Sequence, residues 1–254
     1  MIPYIDIPSI PLLGPLKIQP FGLLVVMGLI VGHRVALRQA DARGLDRDKV
    51  ASLVLWTVIA GFILAHLVSE IFYSPDQVAR NPLVLLKIWT SLSSYGGFAG
   101  GLIGAWLFLR KEKLAFWPHA DLLATALTAG WFFGRLGCTV VHDHPGKPSD
   151  FFLAVRFPGG SRHDLGFYEW LFTIGLNVLV FTLLRRGPKP GTIVVTLMLA
   201  YAPIRFLFDF LRTADRHYLG LTPGQYFSMA LLLGGLLLYW RLGLGRPAAL
   251  NPRS

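Results

Sequence analysis

The chain has 254 residues, of which 54% are hydrophobic and only 15% are charged, whereas about a quarter of the residues are charged in an ordinary soluble domain. This composition excludes a water-soluble globule as the default and indicates an outer surface that faces lipid. The formal net charge of +10 does not indicate nucleic-acid binding, because the lysines and arginines lie mostly between apolar segments, where membrane proteins carry them. The single cysteine excludes an intramolecular disulfide and a cysteine-rich metal site.

Seven segments are long and apolar enough to cross a bilayer, which takes about 20 residues of α-helix. The chain is therefore predicted to be an all-α, polytopic integral membrane protein, with one transmembrane domain over residues 1–254. No basic segment precedes an apolar run at the N-terminus, so we expect no cleaved signal peptide. The predicted spans are Ile18–Leu37, Val50–Tyr73, Ile88–Leu109, Leu122–Val141, Leu165–Leu184, Gly191–Leu211 and Tyr218–Trp240.

Lysines and arginines are divided unequally between the two sets of alternating loops. One set carries fourteen of them and the other carries eight. Because basic residues concentrate on the cytoplasmic side of membrane proteins, the N-terminus is predicted outside and the C-terminus in the cytoplasm. The longest connection on the outer side, residues 142–164, is rich in Gly, Pro and His, and we predict it to be an extracytoplasmic functional loop.

The second, fourth, fifth and sixth predicted spans contain six His, Asp, Glu or Arg side chains, and the orientation places all six in the outer half of the bilayer. An ionisable group there costs at least about 2.5 kcal/mol unless it has a partner or a water-filled cavity. Their convergence on one leaflet predicts a polar cavity that opens toward the outer side. The six residues are His66, Glu70, Arg135, Glu169, Arg205 and Asp209.

Two of these residues, Arg135 and Arg205, carry guanidiniums, which are always charged and can contact a phosphate through two N–H groups at once. A structural ion pair between Arg205 and Asp209, which is four residues later on the same helical face, is the alternative. That pair would leave Arg135 unexplained. We therefore predict that the two arginines bind the phosphate of an outer-leaflet phospholipid headgroup.

The third predicted span contains the glycine-rich run SYGGFAGGLIG, residues 94–104. Its glycines recur at every fourth position, which favours close packing of another helix. The same small residues let a lipid approach the backbone, so Gly96 and Gly97 are candidate lipid-binding positions. Tyr95 would place its hydroxyl at the outer end of this groove, and the alternative is an aromatic residue of the membrane interface.

Together, these segments resemble the prolipoprotein diacylglyceryl transferase family of bacterial inner membranes. The resemblance rests on residues 88–97, on the run GRLGCTVVHDHPG at 134–146, on Arg162 with His163, on Tyr168 with Glu169, and on YAPIRFLFDFLR at 201–212. It implies a multi-pass protein of the bacterial inner membrane. The implied activity transfers the diacylglyceryl group of phosphatidylglycerol to the lipobox cysteine of a prolipoprotein signal peptide, forming a thioether and releasing glycerol phosphate.

The resemblance also implies roles for individual residues. Arg135 and Arg205 match the two arginines on which the family relies, Gly146 matches the glycine that closes its signature, and Asp143 matches the acidic residue before that glycine. Glu169 and Asp209 lie in motifs that carry the resemblance and are predicted to take part in substrate binding.

Three positions depart from the family's pattern: Tyr95 replaces a histidine, Cys138 replaces an asparagine, and Phe21 replaces an aromatic residue that is usually tyrosine. The thiol of an acceptor cysteine has a pKa of about 8.5, so it needs a base or a positive field to react at neutral pH. His142 and His144 are candidate bases, and Tyr95 is a poorer one because a tyrosine has a pKa of about 10. Cys138 is predicted to be a packing residue.

The predicted catalytic residues are Arg135, Arg205, Tyr95 and His142. The predicted substrate-binding residues are Arg135 and Arg205 together with Phe21, Gly96, Gly97, Asp143, Gly146, Glu169 and Asp209.

One alternative from another functional class stays open: a non-catalytic protein of the same fold that binds or moves a phospholipid or a small anion. A secondary transporter is disfavoured, because seven spans leave no even inverted repeat. A hydrolytic metalloenzyme is disfavoured, because the histidines and carboxylates show no recognised ligand spacing and a metal ion would compete with two arginines. We therefore expect no metal and no cofactor.

Overall fold

The computed structural model describes residues 1–13, 16–87, 91–213 and 218–245. Within these ranges the chain is mostly helical, and seven of its helices have 18 residues or more. The helices are α1 (Pro20–Ala42), α2 (Arg47–Tyr73), α3 (Pro75–Arg80), α4 (Ser94–Lys111), α5 (Phe116–Val141), α6 (Leu165–Leu184), α7 (Thr192–Asp209) and α8 (Pro223–Arg241), with a 3₁₀-helix at Pro82–Leu86.

Four helices in the described ranges, α1, α2, α6 and α7, are long and apolar enough to cross a membrane. Large apolar side chains on the surface fit this assignment, since Phe72 on α2 and Val178 on α6 are 73% and 64% exposed. An apolar exterior of this kind is stable against lipid rather than water. The prediction of a helical membrane protein is thereby confirmed at this coarser level, with each of the seven long helices overlapping one predicted span.

The chain forms two compact units. One comprises Met1–Val35 with Ala124–Ser254, and the other comprises Ala36–Leu123. In the second unit, α2 and α4 pack closely because α4 presents glycines to α2. A Cβ atom on Gly96 would overlap the carbonyl oxygen of Leu64, and one on Gly100 would overlap that of Ala60. These glycines therefore serve the helix packing that their four-residue spacing predicts.

The first unit is held by an apolar core between α5, α6 and α7. Leu176, Val180 and Ile193 are buried in that core, where they pack with Ala124. The amide nitrogen of Asn177 donates to the carbonyl oxygens of Thr128 on α5 (3.1 Å) and Thr173 on its own helix (2.8 Å). This polar contact ties α6 to α5 and gives both N–H groups of the Asn177 side-chain amide an acceptor.

Part of residues 142–164 folds as strands, which the all-α prediction misses. Here β4 (Pro145–Pro148), β5 (Val155–Phe157) and β6 (Gly160–Asp164) join β1 (Ile2–Pro3) in one sheet of order β1-β5-β6-β4. A second pairing joins β2 (Ile10–Leu13) to β3 (Leu16–Ile18). Strands of two to five residues have no clear periodicity, and the two prolines of β4 are tolerated because β4 is an edge strand.

Candidate functional site

Three helices of the first unit place ionisable side chains at one site. Arg135 lies in the C-terminal third of α5, Glu169 in the second turn of α6, and Arg205 and Asp209 in the last turns of α7. Helix α6 begins where it does because the carboxylate of Asp164 caps its N-terminus, accepting a hydrogen bond from the backbone N–H of Phe167 at 3.1 Å. The capped turn positions Glu169 toward the arginines.

The carboxylate of Glu169 joins the two predicted arginines. Its Oε2 lies 2.7 Å from Nη2 of Arg135, and its Oε1 lies 3.6 Å from Nη1 of Arg205. Nη2 of Arg205 is 2.9 Å from Oδ1 of Asp209, which also lies 3.2 Å from Nε of Arg212. The ion pair between Arg205 and Asp209 therefore exists, but Arg135 is part of the same cluster and not a separate charge.

This cluster is buried and carries an excess of positive charge. The side chains of Glu169 and Asp209 are at most 2% exposed, and those of Arg135 and Arg205 are 19% and 12% exposed. Three guanidiniums face two carboxylates among these five described side chains, so their formal sum is one positive charge. Nη1 of Arg205 is buried and has no hydrogen-bond partner among the described residues. The arrangement provides an N–H donor and a net charge that suit an anion.

The N-terminus of α8 contacts the carboxylate of Asp209. Asp209 was a predicted site residue, but this contact was not predicted from the sequence. The hydroxyl of Thr222 donates to Asp209 Oδ2, and Thr222 forms a capping box with Gln225. A Cβ atom on Gly224 would overlap the same carboxylate. The run TPGQ at 222–225 carries the signature of this cap, so the helix start could have been recognised, but its contact with Asp209 could not.

His142 is held in place and is not a solvated loop residue. Its Nδ1 lies 2.5 Å from Oδ2 of Asp164, which is fully buried, and the imidazole side chain is 9% exposed. The ring stacks on Tyr4 at a centroid distance of 4.5 Å and meets the edge of Phe157 at 5.6 Å. Asp164 is a site residue that sequence reasoning missed, because it acts both as helix cap and as partner of a histidine 22 residues earlier.

Gly146 is required by close packing. A Cβ atom there would lie 2.8 Å from the carbonyl oxygen of Leu211 and 3.1 Å from Cβ of His163. The glycine therefore lets β4 approach the end of α7, where the predicted arginine cluster lies.

Burial lowers the pKa of His163 below its ordinary value, and its Nδ1 lies 2.9 Å from the hydroxyl of Tyr168.

The other predicted residues occupy three places. Phe21 packs against α5, since a Cβ atom on Gly137 would lie 2.9 Å from its Cδ2. Asp143 is exposed and pairs with His144. Gly96 and Gly97 lie in the first turn of α4, in the other compact unit. The side chain of Tyr95 lies outside the described residues, and its predicted role stays a prediction.

The helical membrane fold and the buried arginine–carboxylate cluster define a membrane protein with a candidate site for an anionic headgroup. The sequence model of the prolipoprotein diacylglyceryl transferase family matches residues 8–241. The chain belongs to this family.

Curated relatives match nearly the whole chain. The phosphatidylglycerol–prolipoprotein diacylglyceryl transferase of Chromohalobacter salexigens is 31% identical over 250 residues, covering 94% of this chain and 93% of the relative. The protein of the same name from Pseudoalteromonas atlantica is 29% identical over 252 residues, covering 94% and 90%. The one from Cereibacter sphaeroides is 30% identical over 288 residues, covering 94% and 97%.

Proposed function

We propose that this chain transfers the diacylglyceryl group of phosphatidylglycerol to the lipobox cysteine of a prolipoprotein signal peptide, forming a thioether and releasing glycerol phosphate. The family membership and the names of the relatives support this reaction. The structural observation that carries it is the pairing of Arg135 and Arg205 on the single carboxylate of Glu169. Nη1 of Arg205 is buried and, at 3.6 Å from Glu169, makes no hydrogen bond among the described residues.

The proposal includes the membrane arrangement. The seven long helices act as seven spans of one transmembrane domain in the bacterial inner membrane, with the N-terminus outside and the C-terminus in the cytoplasm. The unequal distribution of lysine and arginine over the loops supports this orientation. It puts the segment 142–164 and the arginine cluster on the outer side, where phosphatidylglycerol and the secreted acceptor meet.

The arginine cluster lowers the barrier for departure of the phosphate. When the bond between the glycerol carbon and the phosphate oxygen breaks, the leaving glycerol phosphate gains one negative charge. Arg135 and Arg205 meet that charge in a buried site, where preorganised N–H donors act more strongly than in water. Removing one such donor typically lowers kcat by about 10²- to 10³-fold.

His142 is the proposed base for the acceptor thiol. Its Nδ1 is bound to the buried carboxylate of Asp164, which orients the ring and leaves Nε2 as the atom that accepts a proton. This division of roles follows the general logic of an oriented histidine base. Stacking on Tyr4 further restricts the ring to one orientation.

The reaction can be tested in membranes that contain this protein as their only transferase. A lipobox peptide should gain the mass of a diacylglyceryl group through a thioether, and Arg135→Ala or Arg205→Ala should abolish that gain while leaving the protein folded. Arg156→Ala is the matched control, because Arg156 is an exposed arginine on β5. Full lipidation by either site variant would contradict the proposed role of the arginines.

The non-catalytic alternative predicts a different result from the same membranes. Phosphatidylglycerol would bind in an arginine-dependent manner, and the peptide would show no mass gain in the unaltered protein.

A further inference from the structure

A cavity of about 610 Å³ lies where α4 ends and α5 begins. This volume falls within the range of pockets that hold small ligands, about 300–1,000 Å³. All the lining residues belong to the compact unit Ala36–Leu123, whereas Arg135, Glu169 and Arg205 belong to the other unit. The cavity is therefore a separate feature from the arginine cluster. Its lining residues are Trp106, Leu109, Arg110, Lys113, Leu114 and Phe116.

The lining combines apolar side chains with two basic ones. Trp106 and Phe116 are 46% and 45% exposed, so the cavity is open toward its surroundings. Arg110 and Lys113 are exposed as well, and none of the six lining residues is acidic. The α4–α5 cavity therefore suits a ligand that has both an apolar part and an anionic part.

The guanidinium of Arg110 is held in an orientation that suits an anion. Its Cζ lies over the ring of Trp106, 4.9 Å from the ring centroid. Stacking uses the face of the guanidinium and leaves the N–H groups in its plane available as donors. Glu112, the nearest carboxylate along the chain, pairs with Lys49 at 3.5 Å. Within the described ranges neither Arg110 nor Lys113 has a salt bridge, so both charges can meet an anion.

Lys113 occupies a backbone position that favours glycine. Its φ angle is 53°, in the left-handed region. The N–H of Leu114 donates to the carbonyl oxygen of Leu109 at 2.9 Å, and that of Lys113 donates to Arg110 at 3.3 Å. This is the Schellman ending of a helix, in which glycine is usual because a side chain makes the left-handed conformation costly. Attraction of a lysine to the helix C-terminus offsets only part of that cost. Residues held in such conformations cluster at functional sites.

The face of α4 that leads to the cavity favours a lipid over a soluble anion. Ile103 and Leu107 are 51% and 54% exposed. Together with Arg110 they stand at i, i+4 and i+7, so the three residues share one helical face. An exposed apolar face of this kind is stable against acyl chains. A ligand whose chains lie along this face and whose charge reaches Arg110 is an anionic phospholipid.

We propose that the α4–α5 cavity binds one anionic phospholipid as a ligand that is not consumed. Arg110 and Lys113 bind its phosphate, and Trp106 and Phe116 contact the part of the lipid where the headgroup joins the acyl chains. Basic pockets at the ends of membrane spans bind such headgroups. The leaflet rests on the orientation given with the proposed function, which makes it the cytoplasmic one.

Fluorescence quenching at Trp106 tests this binding. The full chain is placed in phosphatidylcholine bilayers with added phosphatidylserine that carries bromine on its acyl chains, because bromine quenches a tryptophan that it contacts. Phosphatidylserine is anionic but lacks the glycerol headgroup of phosphatidylglycerol. The difference between the unaltered protein and Trp106→Phe isolates the signal of Trp106. We expect stronger quenching by brominated phosphatidylserine than by brominated phosphatidylcholine at equal amounts.

The basic residues that line the cavity should account for this preference. Arg110→Gln should lower it at least about fivefold, which is the contribution of one basic residue to binding of anionic lipid. Lys111→Gln is the matched control, because Lys111 is an exposed lysine of the same helical turn that does not line the cavity. Equal losses in the two variants would reduce the effect to general surface charge and overturn the site, as would the absence of a preference in the unaltered protein.

Lys113→Gly gives opposite expectations for stability and binding. Glycine adopts a φ angle of 53° without steric cost, so the variant should melt at the same or a higher temperature in neutral detergent. Its preference for phosphatidylserine should nevertheless fall at least about fivefold. A lower melting temperature together with an unchanged preference would make Lys113 a structural residue and overturn its place in the site.

Two controls separate the α4–α5 cavity from other anion sites. Arg135→Ala should keep the preference measured at Trp106, and its loss would assign the signal to the arginine cluster and overturn the proposal. Competition by inorganic phosphate, but not by chloride of equal ionic strength, would show a soluble anion as the ligand and overturn the lipid. A protein that keeps the preference but transfers nothing to a lipobox peptide would lose the proposed function and retain this site.

Discussion

Replacing Glu169 by glutamine tests whether the arginine cluster is built for an anion. The substitution keeps the shape of the side chain but removes the charge that lies 2.7 Å from Arg135 and 3.6 Å from Arg205. Breaking a buried ion pair by removing one partner costs about 3–5 kcal/mol, because the other charge is left uncompensated. On the scale of soluble domains of this size, that loss lowers the melting temperature by about 10 °C.

A lipid with a net negative headgroup should restore much of that stability. The substitution raises the positive charge of the cluster by one, so an anion that binds between the arginines replaces the missing carboxylate. A ligand present at 100 times its dissociation constant stabilises the folded state by about 2.7 kcal/mol. Melting curves of the variant in neutral detergent, with and without added phosphatidylglycerol, measure this restoration directly, and phosphatidylcholine is the control with a zwitterionic headgroup.

The matched control is Glu112→Gln. Glu112 pairs with Lys49 at 3.5 Å, and both side chains are partly exposed, so the substitution should change stability by less than about 1 kcal/mol. The anion site would be refuted by two results together: Glu169→Gln lowers the melting temperature no more than this control does, and phosphatidylglycerol raises the melting temperature of the variant no more than that of the unaltered protein.

Four other substitutions have defined outcomes. Arg205→Lys keeps the charge but loses bidentate geometry, so the rate of peptide lipidation should fall about 10²- to 10³-fold, while full activity would show that a point charge suffices. Asp164→Asn should slow lipidation by disorienting His142 and keep most of the helix cap, so a loss of melting temperature without a loss of rate would contradict the positioning role. Gly146→Ala should destabilise the protein by about 1–3 kcal/mol through overlap with Leu211, whereas Gly159→Ala, which meets open space, should not. Thr222→Ala should cost about 1 kcal/mol for the lost cap and also slow lipidation through Asp209, and unchanged kinetics would place Thr222 outside the site.

The spacing of apolar and charged residues along the chain was sufficient to predict the approximate positions of the seven long helices. The bounds of α6 coincide with the fifth predicted span, Leu165–Leu184. An apolar run between a capping aspartate and two arginines forms a helix in a bilayer, because its backbone groups must then bond to one another. Arg135 and Arg205 were identifiable because ionisable groups are costly inside a span. Helix α5 extends six residues before the predicted start at Leu122, since amphipathic residues continue a helix into the interface without an apolar signal.

Contacts between segments that are distant along the chain could not be predicted from the spacing of apolar and charged residues. The sheet formed by β1, β4, β5 and β6 depends on pairing of segments about 150 residues apart along the chain, and strands this short carry no periodic signal. The partnership of His142 with Asp164 likewise depends on where the chain returns after the loop.

Composition and the spacing of apolar and charged residues therefore determined that the chain is a helical membrane protein and placed two arginines in its predicted spans, because each of these follows from the local free energy of transfer into a bilayer. Only the tertiary structure decided that one carboxylate, Glu169, joins those arginines, and that Cys138 lies beside Asp143 and His144. The first convergence depends on the packing of three helices, which brings together residues that are distant along the chain. The second depends on the path of the turn at His142, which the order of residues 138–144 does not by itself specify.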